Sequence, residues 1–281
     1  MLAVVALAAP AGARSAIDRP ALVGSGTAAH AVAVAVPSLA PPGAADLAVE
    51  WFTVSLRDGA VVAAAVARPP EGVVSSGPPV VLLPGTDGLR RQYVDVARWF
   101  ALAGRTTVVG CWFAPGMPFD SDTIPCPTAP PFAGATSAGL PAVDGLIALA
   151  RNASGDPRPV VLVGHSRGAT MALLAAAHDD AHAIGAVVAS AAIYSAHLAP
   201  GDADELPIAV SDRVHVPVLA LHGTADPLVP VDQARAWAWA SAGRPERAEH
   251  ELEGGAHALP FDPASAGWWW SEVLGFLALL G

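Results

Sequence analysis

The chain has 281 residues, 53% of them hydrophobic and 14% charged, which is long enough to bury a large core and too apolar for intrinsic disorder. Its net charge of −10, from 15 cations, all Arg, against 25 anions, argues against a nucleic-acid partner, because neutralising phosphates needs a basic surface. A spanning helix needs about 20 predominantly apolar residues, and no charge-poor stretch qualifies: 21–45 is broken by Gly24, Gly26, Pro37, Pro41 and Pro42, and 123–143 by five prolines.

The first elements are the least regular. Leu2 to Ala9 is a short apolar run, followed by Pro10 and by Ala11-Gly12-Ala13, an A-x-A pattern before Arg14 that resembles a signal-peptidase site, although no Lys or Arg precedes Leu2. Two readings of 1–13 stand: a removed export signal, which would place the protein outside the cell or in the periplasm, or an apolar tail on a cytoplasmic protein. Residues 14–46 form an N-terminal extension in which His30 to Val36 alternates like an edge strand.

From Leu47 the pattern sharpens into a single domain, 47–281. The runs 47–56 and 60–69 flank Arg57-Asp58-Gly59, and Asp-Gly between two β-rich runs predicts a hairpin. Val80 to Leu83 is a short buried strand ended by Pro84-Gly85-Thr86-Asp87-Gly88. A helix over 92–103, a strand over 106–113, a helix over 138–151 and a strand over 159–163 follow. The alternation continues with a helix (168–178), strands (184–194 and 217–222), a helix (231–242), a strand (248–252) and a last helix (264–280). Apolar strands separated by helices predict an α/β fold: a mostly parallel central sheet with helices on both faces and an antiparallel N-terminal hairpin. Residues 195–215 are a small insertion rich in Pro, Asp and Gly, expected as a flap over the sheet's C-terminal edge.

Cys111 and Cys126 lie 15 positions apart in a Pro-rich stretch. Two cysteines are too few for a structural zinc site; in an oxidising compartment a bridge between them would stabilise by roughly 3 kcal/mol, and the alternative is two buried thiols. His178 and His182 have H-x-x-x-H spacing but lack the Glu beside the first His that a zinc hydrolase helix carries.

The chemistry concentrates in three places. Gly164-His165-Ser166-Arg167-Gly168 is G-x-S-x-G between a strand and a helix. A nucleophile on so sharp a turn needs glycine two positions to either side, where neighbouring backbone leaves no room for a Cβ. A serine hydroxyl also needs a base. Asp226, in His222-Gly223-Thr224-Ala225-Asp226-Pro227, follows one strand, and His257, in Gly254-Gly255-Ala256-His257, follows the last. The order Ser, Asp, His is that of an α/β-hydrolase, and all three positions fall at strand C-termini, where open α/β sheets collect their sites. Asp232 is the rival acid, but stands where a helix N-cap is expected. His165 reads as a packing residue and His222 as the end of a strand. Of the consecutive Trp268, Trp269 and Trp270, a helix directs only one or two into a core.

With PGTDG, GHSRG, HGTADPLVP and GGAH in that order, the chain resembles the α/β-hydrolase family over 47–281, and within it the esterase, lipase and dienelactone-hydrolase-like group. GHSRG is also similar to the elbows of chlorophyllases and acyl-platelet-activating-factor hydrolases. Dienelactone hydrolases use Cys at the elbow; Ser166 favours ordinary serine ester chemistry. The resemblance implies an oxyanion hole from the backbone N–H of Arg167 and of a residue in Pro84–Gly88, with Thr86 the first candidate and Asp87 the second, although a carboxylate there would oppose an oxyanion. Asp87, Trp112 and Phe113 are the candidates for the substrate pocket, with Met117 and Phe119 at its rim. The expected activity is hydrolysis of small-molecule carboxylic esters through an acyl-serine, with no metal or organic cofactor required; acyl transfer, peptide hydrolysis and a non-enzymatic binding role on the same scaffold are the alternatives.

Overall fold

The computed structural model describes residues 47–56, 60–75, 77–112, 136–195, 206–244 and 246–280. The export-signal segment, the edge-strand candidate His30 to Val36, Phe113, Met117, Phe119 and Cys126 lie outside these residues. Val49–Ser55 (β1) and Val61–Ala67 (β2) pair antiparallel with Val54 opposite Val62, and the Leu56 N–H donates to the Ala60 carbonyl across the turn (2.7 Å). This is the hairpin that Asp-Gly predicts, its three turn residues outside the described set.

The remaining elements alternate: β3 (Val80–Leu83), α1 (Arg91–Leu102), β4 (Thr107–Gly110), α2 (Leu140–Ser154), β5 (Val160–His165), α3 (Arg167–Ala177), β6 (Ile184–Ser190), β7 (Val218–Gly223), α4 (Asp232–Ala240), β8 (Arg247–Leu252) and α5 (Ala266–Leu279). They form one sheet in the order β1-β2-β4-β3-β5-β6-β7-β8. Strand β2 runs against both neighbours, and every pair from β4 to β8 is parallel. Burial on both faces explains the unbroken apolar strands: Val160 and Leu162 of β5 face the core under α2, α3 and α4, whereas Val161 and Val163 face the core under α1 and α5. Helix α1 buries Tyr93, Val94, Val96, Ala97, Phe100 and Ala101, the stripe expected of a one-sided helix. Trp269 and Trp270 of α5 are buried against it, the Trp270 ring 4.7 Å from that of Phe100, and Trp268 is partly buried beside them.

Two expectations are corrected. The apolar run from Ile184 does not stay a strand to Tyr194; β6 ends at Ser190, Ala191 turns to φ 51°, and the Thr170 hydroxyl both donates to the Ile193 carbonyl and accepts its N–H (3.1 Å each). The insertion is not a free flap along its second half: Pro207–Arg213 is a 3₁₀ turn whose Val210 is buried, and Val214 enters the first core.

Candidate active site

Four loops leave the C-terminal ends of parallel strands β3, β5, β7 and β8 on one edge of the sheet, and each carries a candidate site residue. After β5, Ser166 takes φ 54° and ψ −124° before α3 begins. Such a conformation costs a non-glycine residue about 1–3 kcal/mol, and the surroundings enforce it. A Cβ at Gly164 would collide with the Ala169 backbone, and one at Gly168 with the Leu83 carbonyl. The Ser166 N–H donates to the Ser190 carbonyl (2.8 Å), and the Ser190 hydroxyl is in turn bonded by the Trp269 indole N–H. Ser166 is thereby fixed to β6 as well as β5.

The loops after β7 and β8 are stitched together. The Ala225 N–H donates to the Gly255 carbonyl (3.0 Å), Thr224 N–H to Leu252 (2.9 Å), and Gly254 N–H to the Thr224 hydroxyl (2.8 Å). A Cβ on Gly223 would overlap the Gly255 carbonyl, so HG and GG in the two motifs serve a close backbone approach. This stitching presents Asp226 to His257: Nδ1 of His257 lies 2.7 Å from Oδ2 of Asp226. A carboxylate can only accept, so Nδ1 carries the hydrogen and Nε2 keeps a lone pair for a proton. The other oxygen, Oδ1, accepts the N–H groups of Leu228 (2.8 Å) and Val229 (2.9 Å). Burial raises the Asp226 pKa, but bonds from His222, His257 and these two N–H groups outweigh it and hold the carboxyl well below the ordinary carboxylate range.

His222 ends β7, as its sequence position implies, but it does more than end a strand. Its Nε2 donates to the Val229 carbonyl (2.9 Å) and stands 3.4 Å from Asp226 Oδ2. His165, the residue before Ser166, packs its ring 5.0 Å from that of His257 and 5.2 Å from that of Phe261. Burial first, then the neighbouring His257, pushes its pKa down to about 3, so the ring beside His257 is neutral. Asp232 is the first residue of α4 and not its cap; its exposed carboxylate pairs with Arg235 (3.3 Å) and plays no part in the His257 contact.

The loop Pro84–Gly88 lies against the elbow: a Cβ on Gly85 would stand 3.2 Å from Ser166 Cβ. The Gly88 N–H closes a turn on the Gly85 carbonyl (3.1 Å). Thr86 is exposed at the turn's first corner. The pocket expectation for Trp112 is corrected: the side chain is 1% exposed, and its indole N–H donates to the Pro84 carbonyl (2.9 Å), bracing the loop from within the core. Arg167 follows Ser166 with a buried guanidinium, its Nε donating to Thr136 (3.2 Å) and its Cζ 6.0 Å from the centroid of the Trp112 ring. The carboxylate of Asp87 is held by the Tyr93 hydroxyl (2.8 Å) and approached by Gln92 (3.4 Å) and Arg90 (3.6 Å). Tyr93 and Phe261 were not legible as site residues, because aromatic residues at helical spacing or in a loop read as core. Among the described residues no three His, Cys, Asp or Glu side chains gather as a metal ion would require, and no helix is long and apolar enough to cross a membrane.

A serine on a strained strand-to-helix turn and a histidine oriented by a carboxylate, all on loops at the C-terminal edge of a mostly parallel sheet, are the arrangement of the α/β-hydrolase fold class. The dienelactone hydrolase family model matches residues 62–258, and the chain belongs to that family. Among curated proteins no sequence matches. Solved structures share the fold at low identity. A Klebsiella pneumoniae protein described as a dienelactone hydrolase is 20% identical with a TM-score of 0.66, over 82% of this chain and 99% of that one. A Pyrococcus furiosus esterase is 13% identical with a TM-score of 0.65, over 94% and 100%. A puromycin-hydrolyzing peptidase of Mycobacterium tuberculosis is 20% identical with a TM-score of 0.65, over 83% of this chain and 39% of that one.

Proposed function

We propose that the protein is a serine hydrolase that cleaves carboxylic esters of short or medium acyl chain through an acyl-serine intermediate. The observation that carries the reading is the His257–Asp226 contact, which leaves His257 Nε2 as the free base on the same edge as Ser166. His257 takes the Ser166 proton as Oγ attacks the ester carbonyl, Asp226 stabilises the imidazolium, and the proton passes to the leaving alkoxide. Water, activated by the same base, then releases the acid. The N–H groups of Arg167 and Thr86 are the proposed oxyanion donors; such donors are worth roughly 2.7–4 kcal/mol each in a transition state. The peptidase among the similar folds keeps amide hydrolysis as the second reading, and acyl transfer to an alcohol as a third. Export to the periplasm or beyond, with a Cys111–Cys126 bridge, belongs to the same reading; a mass difference of two hydrogens between reduced and unreduced protein from that compartment would support it.

Labelling with a fluorophosphonate probe and mapping the modified peptide tests the proposal. Modification of Ser166 alone, lost in Ser166→Ala and in His257→Ala, is the expected result. No labelling of folded wild-type protein would overturn it and leave a binding role on the scaffold. Matched ester and anilide substrates with one acyl group, with and without added alcohol, then separate esterase from peptidase and transferase.

A further inference from the structure

Tyr93 is fully buried in the first turn of α1, and its hydroxyl is used on both sides. It accepts the Gly85 N–H (2.9 Å) and donates to Asp87 Oδ1 (2.8 Å). A phenol has one hydrogen to give and lone pairs to receive, so the chain of bonds runs in one direction, from Gly85 through Tyr93 to Asp87. Both partners belong to the loop proposed to supply an oxyanion donor. Gly85 lies between the phenol and the elbow, since a Cβ placed on it would stand 3.2 Å from both the Tyr93 oxygen and Ser166 Cβ. The ring is clamped as well, edge-on to Phe261 (4.8 Å between centroids) and 6.3 Å from His165.

We propose that Tyr93 is a positioning residue for the oxyanion hole, fixing the Pro84–Gly88 loop through Gly85 and restraining the Asp87 carboxylate beside it. The inference rests on the serine-hydrolase reading above. Among the described residues the loop is held by Trp112 at the Pro84 carbonyl, Tyr93 at the Gly85 N–H, Arg90 at the Asp87 carbonyl and the turn bond from Gly88 to Gly85. Of the three side-chain anchors, that of Tyr93 joins two loop residues, Gly85 and Asp87. It also answers the objection that an acidic residue would oppose an oxyanion: one Asp87 oxygen is bonded to Tyr93, and the other faces Gln92 and Arg90. Burial and the adjacent Asp87 raise the Tyr93 pKa, so the donor stays protonated.

Tyr93→Phe keeps the ring and its contacts with Phe261 and His165 while removing the hydroxyl. The expected result is a kcat on a p-nitrophenyl ester lowered about 10- to 100-fold, since misplacement of a donor by an ångström carries a penalty of that order, with KM nearly unchanged. Affinity for a trifluoromethyl ketone, which forms a tetrahedral adduct on the serine, falls by the same factor, while affinity for the carboxylate product does not. A kcat equal to wild type would overturn the inference, as would equal losses for ketone and product, the mark of a general disturbance. Should Tyr93→Phe fail to fold, Asp87→Ala compared with Asp87→Asn carries the test: both remove the charge but only Asn keeps an acceptor for the Tyr93 hydroxyl, so weaker ketone binding in Asp87→Ala than in Asp87→Asn is expected, and equal binding overturns the role. Fluorophosphonate labelling of wild type separates the two levels. Wild type labelled at Ser166 with an unimpaired Tyr93→Phe variant refutes only the role of Tyr93, whereas unlabelled wild type refutes the hydrolase reading and this inference with it.

Discussion

Ser166 is held by backbone pressed against backbone: Gly164 against Ala169, Gly168 against Leu83, and a φ of 54° between them. Across the site, Asp226 and His257 sit in loops held by hydrogen bonds, from Leu228 and Val229 to one carboxylate oxygen and from His257 to the other, which His222 approaches to 3.4 Å. Sterics tolerate no added atom but are indifferent to protonation. A bonded carboxylate tolerates small shifts of the loop but depends on charge and tautomer. The two halves of one site should therefore fail in different ways.

The largest effect is expected on the bonded side. Asp226→Asn keeps the size of the side chain but favours the wrong His257 tautomer, and kcat should fall about 10⁴-fold, as loss of a triad carboxylate does, with the protein still folded. Asp232→Asn, six residues on and paired with exposed Arg235, should leave kcat unchanged. Steady-state kinetics on the two variants check the pair, and comparable losses in both would refute the assignment of the acid. On the steric side, Gly168→Ala should cost about 3 kcal/mol or more, because the methyl group meets the Leu83 carbonyl and overpacking in a tight core is relieved only by moving backbone. Urea unfolding measures this. A stable variant that still reacts at Ser166 would mean that the elbow yields, and would erase the contrast between the two halves.

That contrast also explains what the sequence made legible. The elbow is local: five residues, an apolar run before and an Ala-rich helix after carry nearly all of its geometry. Asp226 and His257 were readable because each follows a strand, but the contacts that tune them join distant segments. His222 reads as a strand end, and only the fold of the following loop brings it to Asp226 and Val229. Tyr93 fits the buried stripe of α1 like any aromatic residue, and nothing in its spacing points to the Gly85 N–H. The end of β6 was invisible because residues 184–194 stay almost wholly apolar while the bond that redirects the chain comes from Thr170.

His165 lies on the seam, a residue of the elbow by sequence and a neighbour of His257 by packing, and it gives the smallest but sharpest test. Its pKa is near 3 in the folded protein against 6.5 for a free histidine. Below pH 6.5 the unfolded chain therefore takes up a proton that the folded chain refuses, and stability is lost as pH falls from 6.5 toward 3, by at most about 1.4 kcal/mol per pH unit for one proton. His165→Phe keeps a ring against Phe261 and His257 but cannot titrate. Urea midpoints measured from pH 7 to pH 4 should fall less steeply for the variant than for wild type by up to that slope, whatever the variant's stability at pH 7. Parallel curves would show that the wild-type ring takes up its proton in the folded state as readily as in the unfolded one, and would remove the burial penalty assigned to His165.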